Sequence, residues 1–177
     1  MWKRIAFLVL LLAPFSSNAQ VIGFQDCIHS ASIGVQLDLI LQYTGPEGIM
    51  GADVRVTGLP TAWIRIPVPP PHINPCGTEP CDLFIQGANL VFPTCTDPKV
   101  QLFLIQVIPT TDETDLVVTP EAVLGSPMGC PSVTLCDDPV FTVQCVGCDQ
   151  AFINHSNPIC PTPVQDITWT SVRQLYQ

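Results

Sequence analysis

Nine cysteines hold most of the reactive chemistry in this sequence: Cys27, Cys76, Cys81, Cys95, Cys130, Cys136, Cys145, Cys148 and Cys160. Cys145-x-x-Cys148 has the spacing of a redox dithiol. Such a pair works at the start of a helix, where the N-terminal field lowers the thiol pKa. Here the motif ends a run with strand-like alternation and contains Gly147. Redox catalysis is therefore not the expected role. Cys76-x4-Cys81 together with Cys145-x2-Cys148 offers four sulfurs to a zinc ion, a role that competes with disulfide formation. The three histidines, His29, His72 and His155, stand in no Gly-x-Ser-x-Gly or His-Glu-x-x-His context. Acids cluster at Asp112, Glu113 and Asp115 and at Asp137 and Asp138. The first group lacks an EF-hand loop and the second runs into Pro139, so solvated turns are expected rather than calcium sites. Asn154-His155-Ser156 matches a glycosylation acceptor. No catalytic residue, metal ligand set or cofactor is expected.

The compartment decides how the cysteines behave. Lys3 and Arg4 precede an apolar run of about 11 residues, Ile5 to Phe15, and then Ser16-Ser17-Asn18-Ala19. This is the layout of a secretory signal peptide cleaved after Ala19, and the run is well short of the roughly 20 residues of a bilayer span. No later stretch spans a membrane. The expected location is extracellular, periplasmic or cell-surface. There all nine cysteines are disulfide candidates, and the odd count leaves at least one free or paired between chains. Cys130 and Cys136 are not expected to bond each other. With Pro131 to Leu135 extended they stand about 20 Å apart, against a limit of about 7 Å between bonded Cα atoms. Gly77 and Pro80 allow a local Cys76–Cys81 bridge. The other pairings stay open.

Beyond the leader, only Arg55, Arg65, Lys99 and Arg173 oppose fifteen acidic residues. Such a surface repels nucleic acids and anionic membranes. The acids are scattered, which points to solubility before any calcium or cationic partner.

Alternation supplies the fold. Ile33, Val35, Leu37, Leu39, Leu41 and Tyr43 are apolar at every second position, with Gln36, Asp38 and Gln42 between them. After Gly45-Pro46-Glu47-Gly48, Ala52, Val54 and Val56 alternate with Asp53, Arg55 and Thr57. A period of two places such residues on one face of a strand, which needs a second layer to cover it. Further strands are expected at Val21–Phe24, Leu83–Phe92, Leu116–Val118, Ser132–Leu135 and Val140–Cys145. Trp63 to Val68 carries Pro67 and runs into more prolines, so it reads as an edge strand or a crossing. Val100–Ile108 is apolar on both faces and reads as a mid-sheet strand covered on both sides. Proline (19) and glycine (11) together stay below the roughly 25% that marks disorder. Many short strands with turns between them predict an all-β sandwich over residues 20–156. Residues 157–177 read as a Pro-rich linker and a short C-terminal helix, with Trp169, Val172, Leu175 and Tyr176 as a docking face.

The pieces GIMGADVRVTGLPTAW, VTLCDDPVFTVQC, QAFIN and TWTSVRQLY resemble a loose group of exported bacterial β-sandwich proteins with a closing TWxxVxxLY segment. The likeness covers nearly all of the mature chain, and it implies a structural framework with no activity attached. The IMGADVRVTGLP stretch is also similar to cohesin-type, immunoglobulin-like sandwiches. The expectation is a non-catalytic secreted or cell-envelope protein with a structural or binding role. The alternative is a carbohydrate- or protein-binding module of the cohesin or adhesin kind, with a cell-surface protein or glycan as partner. Exposed aromatic residues on a sheet face would favour the latter.

N-terminal sequencing of exported material should find a mature chain that begins near Gln20. Recovery of intact Met1 in a membrane fraction would contradict this.

Overall fold

A computed structural model describes residues 20–71, 73, 82–137 and 143–160. Two sheets face each other. The first runs in the order β11-β1-β3-β7-β5, from Gly147–Asp149, Val21–Phe24, Leu37–Thr44, Lys99–Ile108 and Ile64–Val68. The second runs β10-β9-β4-β8-β12-β2, from Val143–Cys145, Ser132–Leu135, Ile49–Thr57, Leu116–Glu121, Ala151–Ile153 and Ile28–His29. β6, Ala88–Val91, also pairs with β4. The all-β sandwich expected from the alternation is the observed architecture.

The inner faces make one core. Leu39, Leu41, Tyr43, Phe103, Ile105 and Val107 come from the first sheet and Val54, Val56, Leu90, Val118 and Ile153 from the second, all essentially inaccessible to solvent. Each aliphatic side chain so buried contributes about 1.5–3 kcal/mol relative to exposure. Trp63 is also buried, and its indole N–H donates to the carbonyl and hydroxyl oxygens of Thr111 at 3.1 and 3.0 Å. A large apolar body with one polar handle is well served by such a site.

Two features depart from simple alternation. Ile33 and Val35 are exposed and precede β3 rather than belong to it. Gly34 takes a left-handed φ of 76°, donates its N–H to the carbonyl of Pro109 and turns the chain there. β7 lies inside the sheet, yet among the described residues no layer covers its outer face. Leu102 is an extra residue opposite the Leu41–Gln42 step of β3, and both Leu102 and Phe103 are buried. This bulge resets the parity, which is why β7 reads as apolar on both faces although only one is packed. A similar shift between Ile49 and Gly51 leaves Met50 unpaired and lets Ile49 and Ala52 both point inward.

Among the described residues the disulfides are Cys27–Cys160, Cys95–Cys136 and Cys130–Cys145, and Cys148 is an exposed free thiol. Cys130 and Cys136 thus have separate partners, with strand β9 between them. The Cys27 bond ties the start of the Pro-rich segment to the sandwich. Cys76, Cys81, the expected C-terminal helix and its face of Trp169, Val172, Leu175 and Tyr176 lie outside the described residues.

One polar latch closes the end of the second sheet. Asn154 sits at a φ of 49° and its side chain accepts from the Ala31 N–H at 2.8 Å. The same amide donates to the carbonyls of Ala31 and Glu113 at 3.0 and 3.1 Å. With Nδ2 committed twice, this Asn is a structural tie within its acceptor sequence. Asn154→Ala removes three hydrogen bonds and forces a Cβ-bearing residue without local compensation into a left-handed backbone. A loss of about 3 kcal/mol in chemical denaturation is expected. A loss within 0.5 kcal/mol, roughly what a surface change costs, would show that the latch is idle.

Candidate functional site

The residues with the most obvious chemistry are not brought together. Cys145 is bonded to Cys130, so it forms no dithiol with Cys148. The carboxylate of Asp115 accepts from the N–H and the hydroxyl of Ser156, both at 2.8 Å, and these bonds hold it below the usual carboxylate range. Glu113 accepts from the Thr111 hydroxyl at 3.3 Å. The acidic turn is thus tied into local structure. His29 reaches the Asp26 carbonyl at 2.9 Å, and His155 packs edge-on against Phe152. Asp138 and His72 lie outside the described residues. Among the described residues, no three His, Cys, Asp or Glu side chains are placed to hold a metal ion. Trp63, an aromatic that an exposed glycan platform would need, is in the core.

The distinctive surfaces are the two outer sheet faces, and they differ in chemistry. On the first sheet, Ile64, Ile66 and Val68 of β5 alternate outward and are 49%, 47% and 38% exposed. They stand opposite Ile108, Gln106 and Leu104 of β7. Leu104 in turn faces Ile40 of β3, and Gln106 faces Asp38. The result is an aliphatic band three strands wide, interrupted by Gln106 and Asp38. Apolar side chains gathered in one patch differ from the scattered apolar residues of an ordinary surface. β5 itself is the sheet edge, and Pro67 denies a further strand one of its N–H donors. The surface thus offers a face rather than an edge. Arg65 and Pro67 alternate to the other side, with the Arg65 guanidinium stacked over Phe84 at 4.5 Å. The alternation of this segment was readable in the sequence. Its outward direction was not, because edge position and facing depend on the partner strand.

The second sheet carries a groove of about 300 Å³ with polar groups among aliphatic walls. Gly51, beside the Met50 bulge, forms its notch, between Val91 of β6 and Thr134 of β9. Asp53 is the next outward residue along β4. It stands opposite Asn89 on one side and Ser132 on the other. The Ser132 hydroxyl, itself buried, donates to the Asp53 carboxylate at 3.4 Å. Burial pushes the Asp53 carboxyl above its usual range, and the Ser132 bond offsets this only in part. Further along the same face, Arg55 is paired with Glu121 at 2.6 Å, and Thr57 donates to the same carboxylate at 2.9 Å. A glycine inside an alternating strand is the one signal in the sequence that could have marked this groove.

No protein-family model matches this chain, and no curated protein matches it in sequence. Solved structures match it in fold. A non-cellulosomal cohesin from the hyperthermophilic archaeon Archaeoglobus fulgidus superposes with a TM-score of 0.52 at 9% identity, over 78% of this chain and 92% of that one. The seventh ScaB type I cohesin from Pseudobacteroides cellulosolvens gives 0.52 at 13% identity, over 83% and 96%. A chain of a CaDoc0917–CaCohA2 complex gives 0.52 at 9%, over 76% and 97%. At these identities the likeness is one of fold, a cohesin-like β-sandwich.

Asp53 also sets a pH dependence. Its folded carboxyl keeps a proton to higher pH than the unfolded one. Between the ordinary value of about 3.9 and the raised value, the folded state binds more protons and stability falls as pH rises. Asp53→Asn, which keeps an oxygen for Ser132, should therefore melt higher than the parent at pH 7. The difference should vanish below about pH 3.9. A variant that melts lower at pH 7 would mean that the carboxylate stabilises the fold.

Proposed function

We propose that this protein is a non-catalytic exported binding module. In this reading it captures another protein on the outer face of its five-stranded sheet. The carrying observation is the aliphatic band on a disulfide-stapled sandwich, in which Ile64, Ile66 and Val68 are exposed and Ile40, Leu104 and Ile108 half-buried beside them. Burying such a band gives the hydrophobic centre of an interface, and the flanking Asp38 and Gln42 give it a polar rim. The fold likeness to cohesins, one of them solved within a complex, supports a protein partner. A glycan partner has less support, since stacking aromatic rings are missing from this face among the described residues.

The other parts follow from this reading. The signal peptide takes the chain out of the cytoplasm, and no helix among the described residues is long and apolar enough to cross a membrane. The C-terminal segment with Trp169, Val172, Leu175 and Tyr176 is a second docking element. It follows directly on Cys160, whose bond to Cys27 fixes its starting point.

A photo-crosslinking residue at position 66 tests the reading in the extracellular fraction of the source cells. A discrete, saturable adduct is expected, competed away by unlabelled protein but not by its Ile66→Asp variant. The same probe at position 57, on the other sheet, should not give that adduct. Ile66→Asp should change stability by less than about 1 kcal/mol, because the side chain is already half exposed. Loss of competition with an unchanged melting point supports the reading. Competition undiminished by Ile66→Asp, or no saturable adduct, would defeat it, and an adduct of this chain with itself would identify a second copy as the occupant.

A further inference from the structure

The groove on the second sheet lies on the opposite face from the aliphatic band and is built differently. Its floor is the bare backbone of Gly51. Its polar groups stand in one cross-strand row, Asn89, Asp53 and Ser132, with Thr134 beside Gly51. Its walls are aliphatic, from Met50, Val91 and Val143. Asp53 is the one carboxylate among the described lining residues, and none of them is basic. The neighbouring cation on this face, Arg55, is held by Glu121. Among the described residues, a half-buried carboxylate is thus left without a counter-charge.

We propose that this groove binds a primary ammonium group, the head of a lysine side chain carried by a partner protein. Three observations select that chemistry. A lone carboxylate falls far short of the six to eight oxygens that calcium takes, so a metal is a poor occupant. Ser132 already takes one acceptor site on Oδ2 of Asp53, so a guanidinium fork would have to share that oxygen, whereas the point charge of an ammonium need not. The free acceptor sites of Asp53, the Asn89 amide oxygen and the Thr134 hydroxyl make an acceptor set suited to the three donors of an ammonium. The aliphatic walls suit the methylene stem of lysine, which lies along apolar surface while its head reaches a polar group. The acid excess of the whole chain attracts a cationic partner over longer range. The bulge at Met50 and the missing side chain at Gly51 are what open the notch. A Cβ at Gly51 would already stand 3.1 Å from the Leu90 carbonyl oxygen and 3.7 Å from the Thr134 hydroxyl.

The test uses the mature, oxidised protein labelled with ¹⁵N and the probe Nα-acetyl-lysine N-methylamide. Saturable amide shifts are expected at Gly51, Asp53, Asn89, Ser132 and Thr134. The Nε-acetylated form of the probe, which has the same stem and no charge, should leave them unmoved. Asp53→Asn should weaken binding about tenfold or more, the loss of one charge-assisted hydrogen bond. Gly51→Val, which fills the notch and keeps every polar group, should weaken it as well. Equal shifts with the acetylated probe, unchanged affinity in Asp53→Asn, or no saturable shift in the parent would each overturn the proposal. The aliphatic face plays no part in this measurement, so its outcome is separate from that of the crosslinking experiment.

Discussion

Everything on the surface of this molecule follows from the burial of one face per strand. β3 and β7 bring Leu39, Leu41, Tyr43, Phe103, Ile105 and Val107 against Val54, Val56, Leu90 and Val118. Short strands offer only a few inward positions each, so the core closes only if nearly all of them are apolar. That demand fixes which residues point outward, because the side-chain period is two. Asp53, Arg55 and Thr57 face solvent because Ala52, Val54 and Val56 do not. The aliphatic band on the first sheet is notable against this background. Ile64, Ile66 and Val68 are outward residues that the core does not need.

The two bulges show how the molecule departs from strict alternation to gain something. At Leu102 an extra residue brings two adjacent side chains into the core and resets the parity of the rest of β7. At Met50 an extra residue lets Ile49 reach the core and leaves Gly51 facing outward in the middle of a sheet. The second departure opens a groove next to a carboxylate that burial has made less acidic. Bulges re-aim side chains, and here the re-aiming coincides with a recess lined by polar groups from three strands.

Cross-links hold the parts that the core does not. Cys27–Cys160 closes a loop of 133 residues and anchors the start of the C-terminal segment. In the chain-entropy view, long loops of this kind remove most freedom from the unfolded chain. Cys95–Cys136 and Cys130–Cys145 fasten segments beside β9, and Asn154 does by hydrogen bonding what a bridge would do at the opposite end of the sheet. The oxidising compartment expected from the leader and the framework of bridges are consistent with each other.

The sequence by itself was enough for the sandwich and for most of its strands, and it narrowed β5 to an edge strand or a crossing, since period-two alternation and prolines without N–H groups are local properties. It also showed that Cys130 and Cys136 must have different partners, a matter of extended-chain length. It did not show that Ile33 and Val35 lie outside β3, because a left-handed turn at Gly34 leaves no mark on hydrophobic spacing. Nor did it show that β7 is packed on one face only, since a bulge is a relation between two strands. Facing, pairing and convergence belong to the tertiary structure. Ile64, Ile66 and Val68 became a surface only when β5 took the sheet edge with Leu104 and Ile108 beside it. Asn89, Asp53 and Ser132 became a site only when β6, β4 and β9 aligned in register, across a sequence distance that no local pattern spans.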